Sequence, residues 1–200
     1  MIYFYSGTPG SGKSLHCAKD IYNKLFVKKQ NVIANFEINE RMLAKKKRRG
    51  DFVYISNFEM SPKYFIEYAR LNHIPGKENQ TLVIIDECQI LFNPRTWNDK
   101  DRLSWIEFFT QHRKYGYNFI MISQFDKLVD RQIRSLFEYE VKHRKANNFK
   151  ILNMLPIKLF VAVTVWYGIK EKVNAEFFLF RKKYARLYDS FKDFEKKQTN

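Results

Sequence analysis

Two hundred residues make one domain, or one domain with a tail, and a chain that is 45% hydrophobic and 17% aromatic has apolar surface enough for a core, which excludes wholesale disorder. Seven glycines and five prolines exclude collagen-like and low-complexity classes, and two cysteines cannot build a disulfide framework, so a reducing cytoplasm is expected. Lys and Arg outnumber Asp and Glu by 36 to 21, a formal net charge of +15, which attracts polyanions: nucleotide, nucleic acid or an anionic membrane face.

Residues 2–6 are aromatic and β-branched and run straight into glycine, which predicts a buried strand and a turn. From 13 to 27 the apolar residues Leu15, Ala18, Ile21, Tyr22, Leu25 and Phe26 recur at helical spacing, one face packing on a sheet. Strands follow at 32–36 and 52–55. Ser61 and Pro62 then open a helix to about residue 72, Ser as N-cap and Pro in the first turn. Residues 81–86 (TLVIID) are apolar almost throughout, as in a parallel strand covered on both faces. A helix is predicted over 101–115 with Gly116 ending it, then a buried strand at 118–123 and a short helix at 126–135.

Phe137, Tyr139, Val141 and His143 alternate with Glu138, Glu140, Lys142 and Arg144. That pattern predicts a half-exposed strand, antiparallel and nearer an edge. Strands at 158–167 and 174–180 and a charged helical C-terminus complete the chain. Strand and helix alternate, so the expected fold is α/β: a mostly parallel central sheet flanked by helices, with antiparallel additions toward the C-terminus. One domain fills 1–200, its core about 1–145, with C-terminal strands and helix over 146–200. The longest apolar run, 159–167, is half of the roughly 18 residues a membrane span needs, and residues 1–5 lack a signal peptide's features. A soluble cytoplasmic chain is expected.

Gly7, Thr8, Pro9, Gly10, Ser11, Gly12, Lys13 and Ser14 fit G-x-x-x-x-G-K-[ST] at every position, after a predicted strand and opening a predicted helix. Glycines let backbone N–H groups turn inward around the α- and β-phosphates at a helix N-terminus, with Leu15 continuing the cradle. Lys13 reaches the β- and γ-phosphates, and Ser14 offers its hydroxyl to Mg²⁺. The expected cofactors are therefore ATP and Mg²⁺.

Asp86 and Glu87 end a buried strand, at the sheet edge where such folds bind ligands. Their side chains diverge, which suits two roles: Asp86 holds Mg²⁺, directly or through water, and Glu87 orients and deprotonates the attacking water. A water-activating Glu argues against a small-molecule kinase. Gln124 ends the strand over 118–123 and reaches the same edge, where its amide can sense the γ-phosphate. Phosphoryl transfer also gains from a cation supplied by a neighbouring subunit, and Arg113, Arg131 and Arg134 are the candidates, each expected beside a helix near the catalytic strand ends. Lys45, Lys46, Lys47, Arg48 and Arg49 form a basic run, read either as a solvated loop or as a contact to DNA or lipid phosphate. Cys17 and Cys88 are expected in the core. Trp97, Trp105 and Trp166 are read as packing residues. His112 and His143 have no Cys or His at metal-ligand spacing, so no zinc site is expected.

The set GTPGSGKS, LVIIDECQILFNPR, WIEFFTQHRKYGYNFIMISQ and LVDRQIRSLFEYEVKHR, closed by Leu187, Tyr188, Asp189, Ser190 and Phe191, resembles the zonula occludens toxin (Zot) family, the assembly ATPases of filamentous phages. That family is similar to the FtsK/HerA branch of P-loop motor ATPases. The resemblance implies a RecA-like core with the sensor strand between the two nucleotide-binding strands. It implies an ATP hydrolase that drives viral DNA export or packaging during virion assembly. It supports Lys13, Ser14, Asp86, Glu87 and Gln124 in the roles above, and Arg113 and Arg134 match family positions. A homo-oligomeric ring, viral DNA and other phage assembly proteins are the implied partners. Family members continue into a membrane-spanning helix, which these 200 residues do not supply, so any membrane contact is expected to be peripheral, at the inner face. Two other readings stay open: a nucleotide-gated assembly scaffold, and a packaging or conjugation-type translocase of a non-filamentous element.

Overall fold

The first strand, β1 (Ile2–Ser6), carries large side chains on both faces, and both faces are buried: Ile2 and Phe4 on one, Tyr5 on the other. A strand of this kind belongs inside a sheet that helices cover on both sides. A computed structural model describes residues 1–44, 48–95, 99–146 and 158–188 of the chain. Within them the further strands are β2 (Asn31–Ala34), β3 (Phe52–Tyr54), β4 (Thr81–Ile85), β5 (Tyr117–Ile122), β6 (Tyr139–Lys145), β7 (Leu159–Trp166) and β8 (Lys172–Leu179). They form one sheet in the order β3-β2-β4-β5-β1-β6-β7-β8. The six from β3 to β6 run parallel, and β7 and β8 add antiparallel.

The helices are α1 (Lys13–Tyr22), α2 (Glu40–Ala44), α3 (Pro62–Asn72), α4 (Asp99–Gln111), α5 (Arg131–Arg134) and α6 (Lys182–Ala185). Cys17, Ala18 and Ile21 of α1 pack with Tyr5, Val32 and Ile84 on one face of the sheet. Phe65 and Ala69 of α3 and Trp105, Phe108 and Phe109 of α4 pack with Phe4, Val83 and Phe119 on the other. The start of α3 follows from its sequence: Ser61 accepts a hydrogen bond from the Tyr64 N–H (3.2 Å), and Pro62 needs no partner for a missing donor.

The main departure from the sequence reading is β6. It pairs parallel with β1, Tyr3 opposite Tyr139 and Ser6 opposite Lys142, so it runs with the core and is antiparallel only to β7, while its place third from the sheet edge fits the expectation of a strand nearer an edge. Alternation reports that one face is more polar and says nothing about direction. Glu140 is itself buried, because Ser6 donates to it (2.9 Å) and Lys170 and Lys142 lie against it.

Two helices also differ. The helix expected over 13–27 widens at Asn23–Val27 into a π-turn closed by Lys28 N–H to Asn23 O, bringing Lys24, Leu25 and Phe26 all into buried positions. The helix expected over 126–135 splits into a 3₁₀ turn and α5, because Asp130 caps α5 by accepting from the Gln132 and Ile133 N–H groups. Helix α4 stops at Gln111, short of the expected Tyr115. Lys45, Lys46, Lys47, Trp97, Asp189, Ser190, Phe191 and most of the expected C-terminal helix lie outside the described residues.

Candidate nucleotide site

β1 ends at Ser6, and the chain turns through Gly7–Gly12 into α1. Three glycines make this path by taking positive φ: Gly7 at 138°, Gly10 at 75° and Gly12 at 98°. Two of them are also pressed from outside. A Cβ on Gly7 would lie 2.6 Å from the His143 carbonyl oxygen, and one on Gly12 would lie 2.6 Å from the Phe160 ring. Strands β6 and β7 thus form the floor under the loop. No acidic residue occupies the first turn of α1, so the positive end of its dipole is left for an anion.

Lys13 folds back over the loop and donates to the Gly7 (2.5 Å) and Thr8 (3.2 Å) carbonyls. Burial pushes its pKa down, while Asp86 and Glu87 pull it up, which brings the two motifs within electrostatic reach. Ser11 Oγ is buried in the loop and has no hydrogen-bond partner among the described residues.

The adjoining wall is the end of β4. Asn35, just past β2, clamps the Asp86 backbone with its side-chain amide: it donates to the Asp86 carbonyl and accepts from the Asp86 N–H, both at 2.8 Å. The Asp86 carboxylate is held at both oxygens. Oδ1 accepts from the Glu87 N–H (2.9 Å) and Oδ2 from the Tyr188 hydroxyl (2.6 Å). Burial raises its pKa, and the Tyr188 and Glu87 hydrogen bonds oppose that. Glu87 has φ +47°, a left-handed conformation rare for a non-glycine residue, and its exposed side chain accepts from the Gln89 amide. Gln124, past the end of β5, lines a cleft of about 380 Å³ together with Gly7, Thr8, Lys142 and Arg144.

Lys13, Ser14, Asp86, Glu87 and Gln124 therefore stand along one edge of the sheet, where parallel strands end. Arg113 does not. It follows α4 and pairs with Glu138 just before β6, beside the N-terminus of β1, at the opposite edge. Arg131 is exposed on α5, and Arg134 lies 3.9 Å from Asp126. Of the basic run, Arg48 is exposed, but Arg49 is turned back onto the Leu43 and Gly50 carbonyls and Asp51. Sequence spacing offered no sign that His143 has a histidine neighbour in space. His16, at the base of α1, lies 2.8 Å from it, with both rings buried under the loop. Because His143 Nδ1 meets the Ser6 carbonyl (3.1 Å), that nitrogen donates and Nε2 accepts from His16.

Asn35, Tyr188, Lys142, Arg144 and the histidine pair escaped the sequence reading. Lys142 and Arg144 carried a usable signal, the alternation in β6, once β6 is known to neighbour β1. For Asn35 and Tyr188 no spacing points to the site.

A model of the family described as zonular occludens toxin (Zot) matches residues 1–192. The Gene 1 protein of Enterobacteria phage fd is 29% identical over 153 residues, covering 75% of this chain and 44% of that protein. This chain spans less than half the length of the curated relatives it matches. The N-terminal domain of zonular occludens toxin from Neisseria meningitidis has a similar structure, with a TM-score of 0.56 at 18% identity over 94% of this chain and 98% of that one. So does B204, the DNA-packaging ATPase from Sulfolobus turreted icosahedral virus, with a TM-score of 0.53 at 12% identity over 88% of this chain and 95% of that one. At such identities the structural likeness shows the fold alone, a RecA-like one, with β5 between β1 and β4. Sequence family and fold agree: the chain belongs to the zonular occludens toxin (Zot) family.

Proposed function

We propose that this chain is a Mg²⁺-dependent ATP hydrolase that drives viral DNA export or packaging during virion assembly. One observation carries the reading: the phosphate loop after β1, the Asp86 and Glu87 pair after β4 and Gln124 after the intervening β5 converge on one sheet edge. The Ser11 hydroxyl left without a partner in the loop suits a cradle shaped for phosphate oxygens. The donors offered, the Ser14 hydroxyl and the Asp86 carboxylate, are hard oxygens, a set that fits Mg²⁺. When bound, Mg²⁺ neutralises phosphate charge.

The residues then divide the work. The loop glycines, Ser11 and Leu15 seat the phosphates, and Lys13 leaves its carbonyl partners for the β- and γ-oxygens. Glu87 orients the attacking water and takes its proton, and Gln124 senses the γ-phosphate. A cation from a neighbouring copy in a homo-oligomeric ring completes the charge balance, with Arg131 and Arg134 the candidates. The pairing of Arg113 with Glu138 at the far edge makes it a poorer one. The basic surfaces, Lys45 to Arg48 included, contact viral DNA, while Arg49 is held by the Leu43 and Gly50 carbonyls. The similarity to a filamentous-phage Gene 1 protein supports a role beside other phage assembly proteins in the host cell.

The test is the ATPase rate of wild type and Glu87→Gln, with and without single- and double-stranded DNA, over a salt series. We expect magnesium-dependent turnover, DNA stimulation that fades with salt, and a loss of about a hundredfold or more in Glu87→Gln. Turnover untouched by DNA at every salt would remove the motor reading. Virion assembly proceeding equally well with Glu87→Gln would leave a nucleotide-gated scaffold in its place.

A further inference from the structure

The last described stretch of the chain is a strap across the nucleotide site. After β8, α6 (Lys182–Ala185) sets the Tyr184 ring edge-on to Tyr22 of α1, with centroids 5.5 Å apart. Leu187 is fully buried in the core shared by α1 and the sheet, and its carbonyl accepts from the Asn39 N–H (2.9 Å). Tyr188 then packs on Phe36 (4.2 Å) and sends its hydroxyl to Asp86 Oδ2 (2.6 Å).

We propose that Tyr188 is a positioning residue of the nucleotide site, its hydroxyl fixing the orientation in which the Asp86 carboxylate serves the magnesium ion. The proposal rests on the reading of Asp86 given under Proposed function. The second dihedral of an aspartate is broad and two-fold, so a carboxylate's orientation is set by what its oxygens bond. Here one donor is local, the Glu87 N–H on Oδ1, and the other arrives from 102 residues away. Each oxygen keeps acceptor capacity for a metal or a metal-bound water after taking one hydrogen bond. Outer partners of this kind change metal affinity or activity when removed. The strap also packs on α1, the helix that carries Lys13 and Ser14, so one segment touches both halves of the site.

The competing role is plain packing of the C-terminal segment, and Tyr188→Phe separates the two because it keeps the ring on Phe36 and removes one oxygen. The 200-residue chain is titrated with ATPγS by calorimetry, with and without Mg²⁺, and its thermal melt is recorded. We expect the melt to stay cooperative, the magnesium-free affinity to hold within about twofold, and the gain that Mg²⁺ confers to fall about tenfold. In an Asp86→Asn background, Tyr188→Phe should add nothing. A full magnesium gain in folded Tyr188→Phe overturns the proposal, as does simple additivity with Asp86→Asn. Loss of a cooperative melt in Tyr188→Phe also overturns it, in favour of packing. A wild-type chain that binds ATPγS without any magnesium gain would overturn the reading of Asp86 itself, and the proposal with it.

Discussion

Gly12 shows how narrowly the phosphate loop is specified at a single residue. Its φ of 98° is one that L side chains rarely adopt, and the space beside it belongs to Phe160. The motif requires glycine here for backbone freedom, but the structure adds a second cause that no motif contains, a β7 ring lying on the loop. Gly12→Ala therefore meets strain and collision together. We expect a loss of about 1–3 kcal/mol of stability, read from urea unfolding, and weaker nucleotide binding as the loop shifts. Trimming the obstruction with Phe160→Leu should recover part of the loss, whereas the φ component stays. An alanine variant as stable as wild type would mean that the loop is not held against β7. Glu87 is the complementary case, a non-glycine residue kept left-handed (φ 47°) at the position the proposed mechanism gives to the base, strain held there by the surrounding structure.

At the scale of elements, β6 joins the site to the stability of the molecule. It places His143 under the loop, against His16, Tyr5 and Phe178. Burial drives the His143 pKa down to about 3, and His112, buried at the end of α4, to about 4. Both values lie below the ordinary 6.5, so between pH 6.5 and about 4 the unfolded chain binds protons that the folded chain refuses. Stability is complete above pH 6.5 and drains as pH falls, by about 1.4 kcal/mol per pH unit for each histidine. Asp86, whose pKa burial raises, works in the opposite sense. Urea unfolding at pH 7, 6 and 5 should show the midpoint dropping steadily, and a flat midpoint would refute buried neutral histidines. Sequence could not announce this pair, since residues 16 and 143 meet only because β6 lies next to β1. The same gap hid the direction of β6. By contrast β4 and the α3 start were legible, because an unbroken apolar run and a Ser-Pro cap are local signals of local structure. The phosphate loop, Asp86 and Glu87 were legible for the same reason. Asn35 and Tyr188 were not, because each is a long-range hydrogen bond to one aspartate.

Over the whole molecule, the cations behind the charge of +15 are not placed alike. Arg49, within the basic run, is spent on its own backbone. On the α1 side of the sheet, Arg41, Lys183 and Arg186 surround a hollow of about 380 Å³ with Tyr22, Phe26 and Asn39. Lys183 lies over the Tyr22 and Tyr184 rings, 4.8 and 4.7 Å from their centroids. Three cations around aromatic rings form a surface suited to a phosphate backbone, since each phosphate neutralised releases counterions and steepens the salt dependence of binding. Replacing Arg41, Lys183 and Arg186 together by alanine should weaken DNA binding uniformly across sequences. It should also flatten the log–log salt slope for duplex DNA by about 0.9 for each phosphate that is no longer neutralised. Lys77→Ala, on an exposed loop before β4 at the far edge of the sheet, is the control and should leave the slope alone. Fluorescence anisotropy over a salt series reads both. If the triple variant keeps the wild-type slope, DNA does not bind on the α1 face, and the charge there serves another anionic surface. If the slope falls while ATP turnover without DNA is kept, DNA binding and hydrolysis occupy different parts of one small domain, which is the arrangement a motor needs.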